Sequence, residues 1–264
     1  GQQALSAAAE DDNVAVGNNA LLAFTASNAT AVGSGAVAAA SSADGITAVG
    51  KSALAVVTGG YNTAVGMNAG AAIESGEQNT AVGGSCLDET AGGDNNTAVG
   101  FAALGEICVD DNTAVGKSAL NAFTGSNATA VGSGAADQLT GASSPSGAGT
   151  TAIGYNALTV AVNQSNCTAV GHNALVAATS GNHNTAVGTS SLATVNGTQC
   201  TAVGTYSLNA NCDDFCTAVG YAALNNTTGA NNTAVGRNAL LVFTSGGGTA
   251  VGSGAAQVAV GPSH

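Results

Sequence analysis

The chain has 264 residues, of which 45% are hydrophobic and 3% aromatic, and it contains 39 Gly, 2 Pro and no Trp. Because the apolar residues are mostly Ala and Val, a thin core is predicted. The lack of a Gly-X-Y period excludes collagen. The formal net charge of −12 disfavours binding to nucleic acid or another polyanion. No apolar run approaches the ~18 residues of a membrane helix, so membrane insertion is not expected.

One short sequence word organises the chain from its first turns to its last. The word is Thr-Ala-Val-Gly, and its Gly recurs in steps of 16 or 17 residues, apart from one step of 22 between Gly132 and Gly154. A fixed short period is the signature of a stacked repeat. The closing glycines are Gly17, Gly33, Gly50, Gly66, Gly83, Gly100, Gly116, Gly132, Gly154, Gly171, Gly188, Gly204, Gly220, Gly236 and Gly252.

Each repeat contains two apolar pieces separated by turn residues. The word itself is a short β-branched run of strand type. An Ala-Leu pair ends four residues after the Gly, as at Leu54 and Leu120, and a small polar residue such as Ser52 or Asn68 lies between the two pieces. Gly followed by x-Asn or x-Ser is typical of a tight turn. The order strand, turn, strand, turn is therefore predicted for every repeat.

These features predict an all-β fold, a single-chain β-solenoid (parallel β-roll) of about sixteen coils of 16–17 residues stacked at ~4.8 Å. A helical fold is excluded because β-branched residues and Gly recur in every coil and no stripe of period 3.6 exists. Steps that are not multiples of six exclude the hexapeptide solenoid, and the lack of Gly-Gly-x-Gly-x-Asp excludes the calcium-binding nonapeptide roll. We expect one domain over residues 1–264, with a loop insertion around 141–149 and partial coils at 1–16 and 253–264.

Ala stands at the centre of every copy of the word, from Ala15 to Ala250. Because side chains alternate across a strand, Thr and Val point to one side and Ala to the other. An Ala side that faced open solvent would have admitted Ser, Thr or Lys in some copies. Close packing is therefore expected on the Ala side, either against the second sheet of the same solenoid or against another chain.

The word [Thr/Val]-Ala-[Val/Ile]-Gly followed by x-Asn/Ser-Ala resembles the head repeats of trimeric autotransporter adhesins. It is also similar to repeats of phage and virus fibre proteins, and the resemblance covers almost the whole chain. It implies a left-handed parallel β-roll, side-by-side association of three chains and a surface that binds host or matrix components. The chain differs from that family in coils two or three residues longer, in its Cys residues, and in having no recognisable neck, stalk or membrane anchor.

The position before the Thr of the word is held by Asn in many coils. Stacked Asn side chains can form amide ladders along a solenoid. Such a ladder is predicted for Asn62, Asn79, Asn96, Asn112, Asn184 and Asn232.

The six cysteines lack the Cys-x-x-Cys spacing of a metal site, which favours disulfides and an oxidising, extracellular setting. Cys200 and Cys216 occupy the Asn position in neighbouring coils, within disulfide range, and Cys86 and Cys108 lie in successive coils as a second candidate pair. The alternative is that cysteines are small buried residues that fill an Asn slot. The remaining two are Cys167, also at the Asn position, and Cys212.

Glu77, Asp94 and Asp110 each lie six residues before their Gly in successive coils. Like charges stacked at strand spacing repel, and Ca²⁺ would relieve that repulsion. A weak calcium site is one hypothesis, and a solvated acidic turn edge is the other. Asn-x-Ser/Thr sequons give glycosylation candidates at Asn28, Asn95, Asn127, Asn163, Asn166, Asn196, Asn225, Asn226 and Asn231.

No catalytic arrangement is recognisable. His172, His183 and His264 are isolated from one another, the Ser residues lack a nearby base, and no helix follows a Gly-rich loop. We therefore expect a protein that is not an enzyme and needs no cofactor.

Three functions remain as hypotheses. The first is a structural subunit of an extracellular fibre or filament, at a cell or virion surface, that assembles with itself head to tail through uncapped solenoid ends. The residues assigned to that assembly interface are Gly1, Gln2, Gln3, Ala4, Leu5, Val258, Ala259, Val260 and Gly261.

The second function is a trimeric adhesin or viral tail-fibre-like module that binds a glycan or host-surface ligand, with the loop at Pro145 as its binding feature. The third is an ice-binding surface, which requires that Thr and Val face outward although Val is more naturally buried. Its array would include Thr63, Thr80, Thr97 and Thr113.

Overall fold

The computed structural model describes residues 1–7, 10–40, 42–106, 108–140, 148–162, 164–177, 180–194, 196–210 and 213–259. These residues form short strands and turns, with no helix and hence none that could span a membrane. The fold is the predicted all-β solenoid of parallel strands. Most of the predicted insertion, residues 141–147, lies outside the described residues. The chain forms two compact units, Gly1–Asn127 and Ala128–His264.

The described residues of the first unit form seven strands, one from each copy of the word. Consecutive strands pair in parallel and in register, so that Thr63 stands opposite Thr80 and Ala64 opposite Ala81. The strands are β1 (Val14–Val16), β2 (Thr30–Val32), β3 (Thr47–Val49), β4 (Thr63–Val65), β5 (Thr80–Val82), β6 (Thr97–Val99) and β7 (Thr113–Val115).

The second unit repeats this sheet and adds short pieces of further sheet. Its word strands are β8 (Thr129–Val131), β10 (Thr151–Ile153), β12 (Thr168–Val170), β13 (Thr185–Val187), β14 (Thr201–Val203), β15 (Thr217–Val219), β17 (Thr233–Val235) and β19 (Thr249–Val251). The additional strands pair among themselves in two small parallel sheets. They are β9 (Gln138–Thr140), β11 (Val160–Val162), β16 (Asn226–Thr227), β18 (Val242–Phe243) and β20 (Val258–Ala259).

The predicted alternation across the strand is confirmed, and it also settles which side is the core. The central Ala is buried in strands β2 to β8 and in every later word strand, whereas most of the Val residues are exposed. The burial of Ala is achieved within the chain itself, so the close packing on the Ala side is that of a narrow core. The expectation that the Val of the word is the buried residue is wrong, because the core has room only for the smaller Ala at this level of the coil.

The second apolar piece is a turn in most coils, which corrects the predicted strand. In Gly-x-Ser-Ala-Leu, both Ser52 (φ 55°) and Leu54 (φ 48°) have left-handed backbone, which interrupts a strand. A left-handed Leu costs about 1–2 kcal/mol, but burial of the side chain contributes about 1.5–3 kcal/mol. Leu54 is fully buried, and its N–H donates to Ala69 O of the next coil at 3.0 Å. Core burial thus holds an apolar residue in a conformation that its own preference disfavours.

The closing Gly of the word is required by both its conformation and its neighbour. Gly204 has a φ of +132°, and a Cβ at this position would lie 2.5 Å from Gly220 O in the next coil.

We expect Gly204→Ala to lower the free energy of unfolding, as measured by urea denaturation. Backbone strain by itself should cost about 1–3 kcal/mol, and the steric clash should add to this loss. Thr205→Ala, one residue later, is the control and should change it little. Equal stability of the two variants would contradict this account of the glycine stack.

Candidate functional site

The outward side of the word strands is a regular surface, which we call the Thr–Val face. It consists of the first and third side chains of strands β2–β7 in the first unit, and of β8, β10, β12–β15 and β17 in the second. Most of its branched aliphatic residues are exposed to nearly the same extent. The exposed fraction is between 37% and 41% for Val49, Val65, Val82, Val115, Val131, Ile153, Val187, Val203, Val219 and Val235.

The chemistry of the Thr–Val face is as uniform as its geometry. Every position is Thr, Val or, at Ile153, Ile, so the face carries hydroxyl and methyl groups and no charge. All three of these residue types are β-branched and stiff at χ1. The face therefore presents two parallel rows, one of hydroxyls and one of methyl groups, at strand spacing.

A second row of side chains, the flanking column, follows the closing Gly and varies from coil to coil. It holds all three basic residues of the chain and several exposed large side chains, including Met67 and Phe101. In the second unit, Tyr155 stacks on His172 with ring centroids 5.4 Å apart. The members of the column are Asn18, Ser34, Lys51, Met67, Gly84, Phe101, Lys117, Ser133, Tyr155, His172, Thr189, Thr205, Tyr221, Arg237 and Ser253.

The buried Asn residues form a ladder that differs from the predicted amide stack. Asn79 Oδ1 accepts the main-chain N–H of Asn96 at 2.8 Å, and its Nδ2 donates to Gly93 O at 2.8 Å. Asn62 and Asn96 make the same kinds of contact with their following coils. Each of these Asn side chains therefore binds main-chain groups of the following coil. The second unit uses this arrangement at Asn184 and Asn232.

Cysteines in the Asn position use part of the same pattern. The Cys200 thiol donates to Asp213 O at 3.4 Å, and the Cys216 thiol donates to Gly229 O at 3.2 Å. Cys167 is also buried there, and burial raises the pKa of its thiol. Cys200 and Cys216 lie in adjacent coils as predicted, since Thr201 N donates to Cys216 O.

The structure gives no support to the two predicted disulfides, which stay predictions. The described cysteines are thiols, and Cys212 lies outside the described residues. Cys86 and Cys108 are not stacked on each other. Cys86 takes the position of the core Ala that follows the turn, level with Ala103, because Leu87 N donates to Ala103 O. Cys108 instead lies beside Thr90, with Sγ 3.2 Å from Thr90 Oγ1.

The stacked acidic residues act as acceptors for the main chain. Asp94 Oδ1 accepts the N–H of Glu77 at 2.8 Å, and Asp110 Oδ1 accepts the N–H of Asp94 at 2.9 Å. Asp214 does the same for Thr198 in the second unit. These contacts give the carboxylates of Asp94 and Asp110 a structural role, and the weak calcium site stays a prediction. Within the described residues, no three His, Cys, Asp or Glu side chains are grouped to hold a metal, and no pocket is found.

Five of the predicted glycosylation sites share one exposed turn position. Asn28, Asn95, Asn127, Asn166 and Asn231 all have left-handed backbone five residues before a closing Gly. Asn196 and Asn226 are also exposed, Asn225 is half-buried, and Asn163 lies outside the described residues.

The residues assigned to end-to-end assembly lie in the first and last described coils. Leu5 N donates to Ala20 O, and Gln2 O accepts the N–H of Asn19, so this segment stacks on the coil after it. Val258 and Ala259 pair with Val242 and Phe243. Val260, Gly261, His264 and the Pro145 loop lie outside the described residues, and the assembly role stays a prediction.

Sequence reasoning missed two features of the structure. It treated the Asn and Asp columns as side chains that contact each other, whereas both bind the main chain of an adjacent coil. It also missed the Tyr155–His172 pair, which could have been found because both residues follow the closing Gly in successive coils.

Comparisons with protein families, with curated proteins and with solved structures find no match to this chain. The resemblance to adhesin head repeats therefore stays a prediction.

The Asn ladder makes a prediction for stability. We expect Asn79→Ala to lower the free energy of unfolding by about 2–4 kcal/mol, since two buried main-chain groups, Asn96 N–H and Gly93 C=O, lose this partner. Urea denaturation of Gln78→Ala, an exposed neighbour, provides the control and should show a change within about 0.5 kcal/mol. A loss at Asn79 no larger than at Gln78 would show that the ladder is dispensable.

The burial of Cys86 leads to a prediction for the pH dependence of Tm. Burial raises the pKa of its thiol from 9.0 to about 11, so the unfolded chain loses this proton at lower pH than the folded chain. The folded state is therefore destabilised as the pH rises from 9.0 towards about 11. In Cys86→Ala, Ala fills the slot as it does in other coils, and the fall in Tm between these pH values should be smaller than in the wild type. Parallel Tm–pH curves for the two proteins would contradict the assignment.

Proposed function

We propose that the chain is a structural module of an extracellular fibre or filament. The observation that carries the proposal is that consecutive described coils meet through one repeated contact. Thr63 N donates to Asn79 O, and Gly66 N donates to Val49 O, both at 2.8 Å. Equivalent bonds recur along each unit, for example from Thr201 N to Cys216 O and from Gly204 N to Val187 O. Because this contact is the same between neighbouring coils in each unit, further coils can be added through the same hydrogen bonds.

Three further features support a role in a fibre. The core consists mostly of Ala and Leu, with some Val, Ile and Cys and a few larger residues such as Phe24 and Phe123, so each coil adds little mass per unit of length. The Asn ladder resists sliding of one coil over the next. The net charge of −12 opposes nonspecific aggregation of a protein with exposed apolar rows. In the proposed fibre, the same coil-on-coil contact continues head to tail from one copy of the chain to the next.

A second candidate function is an adhesin-like module that binds a glycan or a surface ligand. It is favoured by the exposed aromatic residues of the second unit. Tyr155 stacks on His172, and Tyr206 meets Tyr221 edge to face at 6.1 Å. Exposed aromatic groups of this kind are amphipathic contact residues. They sit in variable positions, as expected if ligand specificity differs from coil to coil.

Assembly in solution tests the fibre proposal. We expect the sedimentation coefficient to rise continuously with protein concentration, and negative-stain images to show filaments of increasing length. Assembly should be stronger at 0.15 M salt than at low salt, because screening within about 8 Å weakens repulsion between acidic copies.

Two results would contradict the fibre proposal. A single monomeric species at every concentration and salt would leave no assembly to explain. Chemical crosslinking that stops at a trimer, with no longer particles, would favour the adhesin-like module instead.

A further inference from the structure

In each unit the Thr–Val face presents mostly exposed Val and half-buried Thr side chains, and among its strands the composition changes only at Ile153. In-register pairing puts Thr on Thr and Val on Val in consecutive strands, at a spacing of about 4.8 Å. A ligand that meets successive coils in the same way must itself repeat at a similar interval. A folded protein of irregular surface, or a small molecule, cannot do this over several coils.

The chemistry of the face narrows the class of ligand further. Thr201 and Thr217 contribute hydroxyls, and Val203 and Val219 contribute methyl groups. The face has no charged side chain, and the basic residues lie in the flanking column. A charged polymer would therefore find no ion-pair partner on the face. A neutral lattice that both donates and accepts hydrogen bonds fits the hydroxyl row, and the methyl row can lie in its gaps.

The face is also held rigid before any ligand arrives. The Ala residues beneath it, such as Ala202 and Ala218, are fully buried, and its strands are fixed by main-chain bonds on both sides. Its side chains are β-branched and have few rotamers. Little conformational entropy would be lost on binding, which favours contact with an extended solid.

A second copy of the chain fits the face less well than a lattice does. Protein–protein contacts are dominated by Trp, Tyr and Arg, whereas Thr and Val are under-represented among their energetically important residues. Here Tyr155, Tyr221 and Arg237 stand in the flanking column and not on the face.

We propose that the Thr–Val face binds ice. Ice is a neutral lattice of hydrogen-bond donors and acceptors, and its equivalent oxygen atoms repeat at nearly the strand spacing. Thr hydroxyls match the lattice as donors and acceptors, and the methyl rows order the water between them into a continuation of it. This activity belongs to the face of each unit and does not depend on assembly into a fibre.

The test compares matched pairs of substitutions in two neighbouring coils. Val187→Lys with Val203→Lys places two long charged side chains on the face. His183→Lys with Gln199→Lys places the same number of lysines in the same coils, at turn positions outside the face. Folding of each protein is checked by its circular dichroism spectrum and Tm. Each protein is then frozen slowly with albumin, and its enrichment in the ice fraction relative to albumin is measured, together with thermal hysteresis and crystal shape.

We expect the wild type to enter the ice and to shape crystals into facets. The face variant should lose enrichment by about tenfold or more, while the turn variant keeps it. If the lysines on the face prevent folding, Val187→Gln with Val203→Gln replaces them and should show the same loss.

Three outcomes would overturn the proposal. The first is exclusion of the wild type from ice to the same extent as albumin, with no thermal hysteresis. The second is an equal loss of enrichment in the face and turn variants, which would indicate a nonspecific effect of charge. The third is conversion of an oligomer to a monomer by the face variant alone, seen in sedimentation while ice enrichment is zero throughout, which would assign the face to contact between copies.

Discussion

A coil of this protein satisfies few of its main-chain polar groups by itself and relies on the next coil to do so. Its word strand is three residues long, and consecutive word strands are too far apart in sequence to form hairpins. Thr47 N donates to Asn62 O in the following coil, and Gly50 N donates to Val32 O in the preceding one. Because an unpaired buried main-chain group costs about 1–3 kcal/mol, each coil is held in register by the cost of losing these bonds. The uniformity of the repeat follows from this constraint.

The same constraint explains why the smallest side chain lies inside. Stacked three-residue strands joined by tight turns leave a narrow interior, and Ala fits it where Val does not. A slip of one residue would bring Thr and Val into the core and Ala to the surface. The rest of the core volume is filled by Leu104, Leu120 and their equivalents. These side chains are fully buried although their backbone is left-handed. The core is thin, so hydrogen bonds of Asn and Asp to adjacent coils carry a larger share of the specificity than in a globular domain.

The sequence predicted the fold because one feature, the period of the closing Gly, already determines which residues stack. Gly83 above Gly100 and Ala81 above Ala98 could be aligned without a structure. The turn at Leu54 could not be predicted, since the left-handed conformation of a Leu is set by burial and not by its own preference. The hydrogen-bond partners of Asn79 and Asp94 could not be predicted from the sequence pattern either. A column of polar residues shows which side chains are level, but not whether each binds its neighbour's side chain or its main chain.

The Thr–Val face and the flanking column differ in how much their residues vary from coil to coil. The face lies in the strands, where Gly, the buried Ala and the register fix the backbone, and its residues hardly vary. The column begins one residue after the closing Gly, outside the strand, and holds Lys51, Phe101 and Tyr155 in equivalent positions. Backbone geometry alone does not explain the difference, because an outward strand position half open to solvent would also tolerate Ser, Lys or Glu. The repeating neutral ligand that we propose would explain the difference, because it would impose the same composition on the face in every coil.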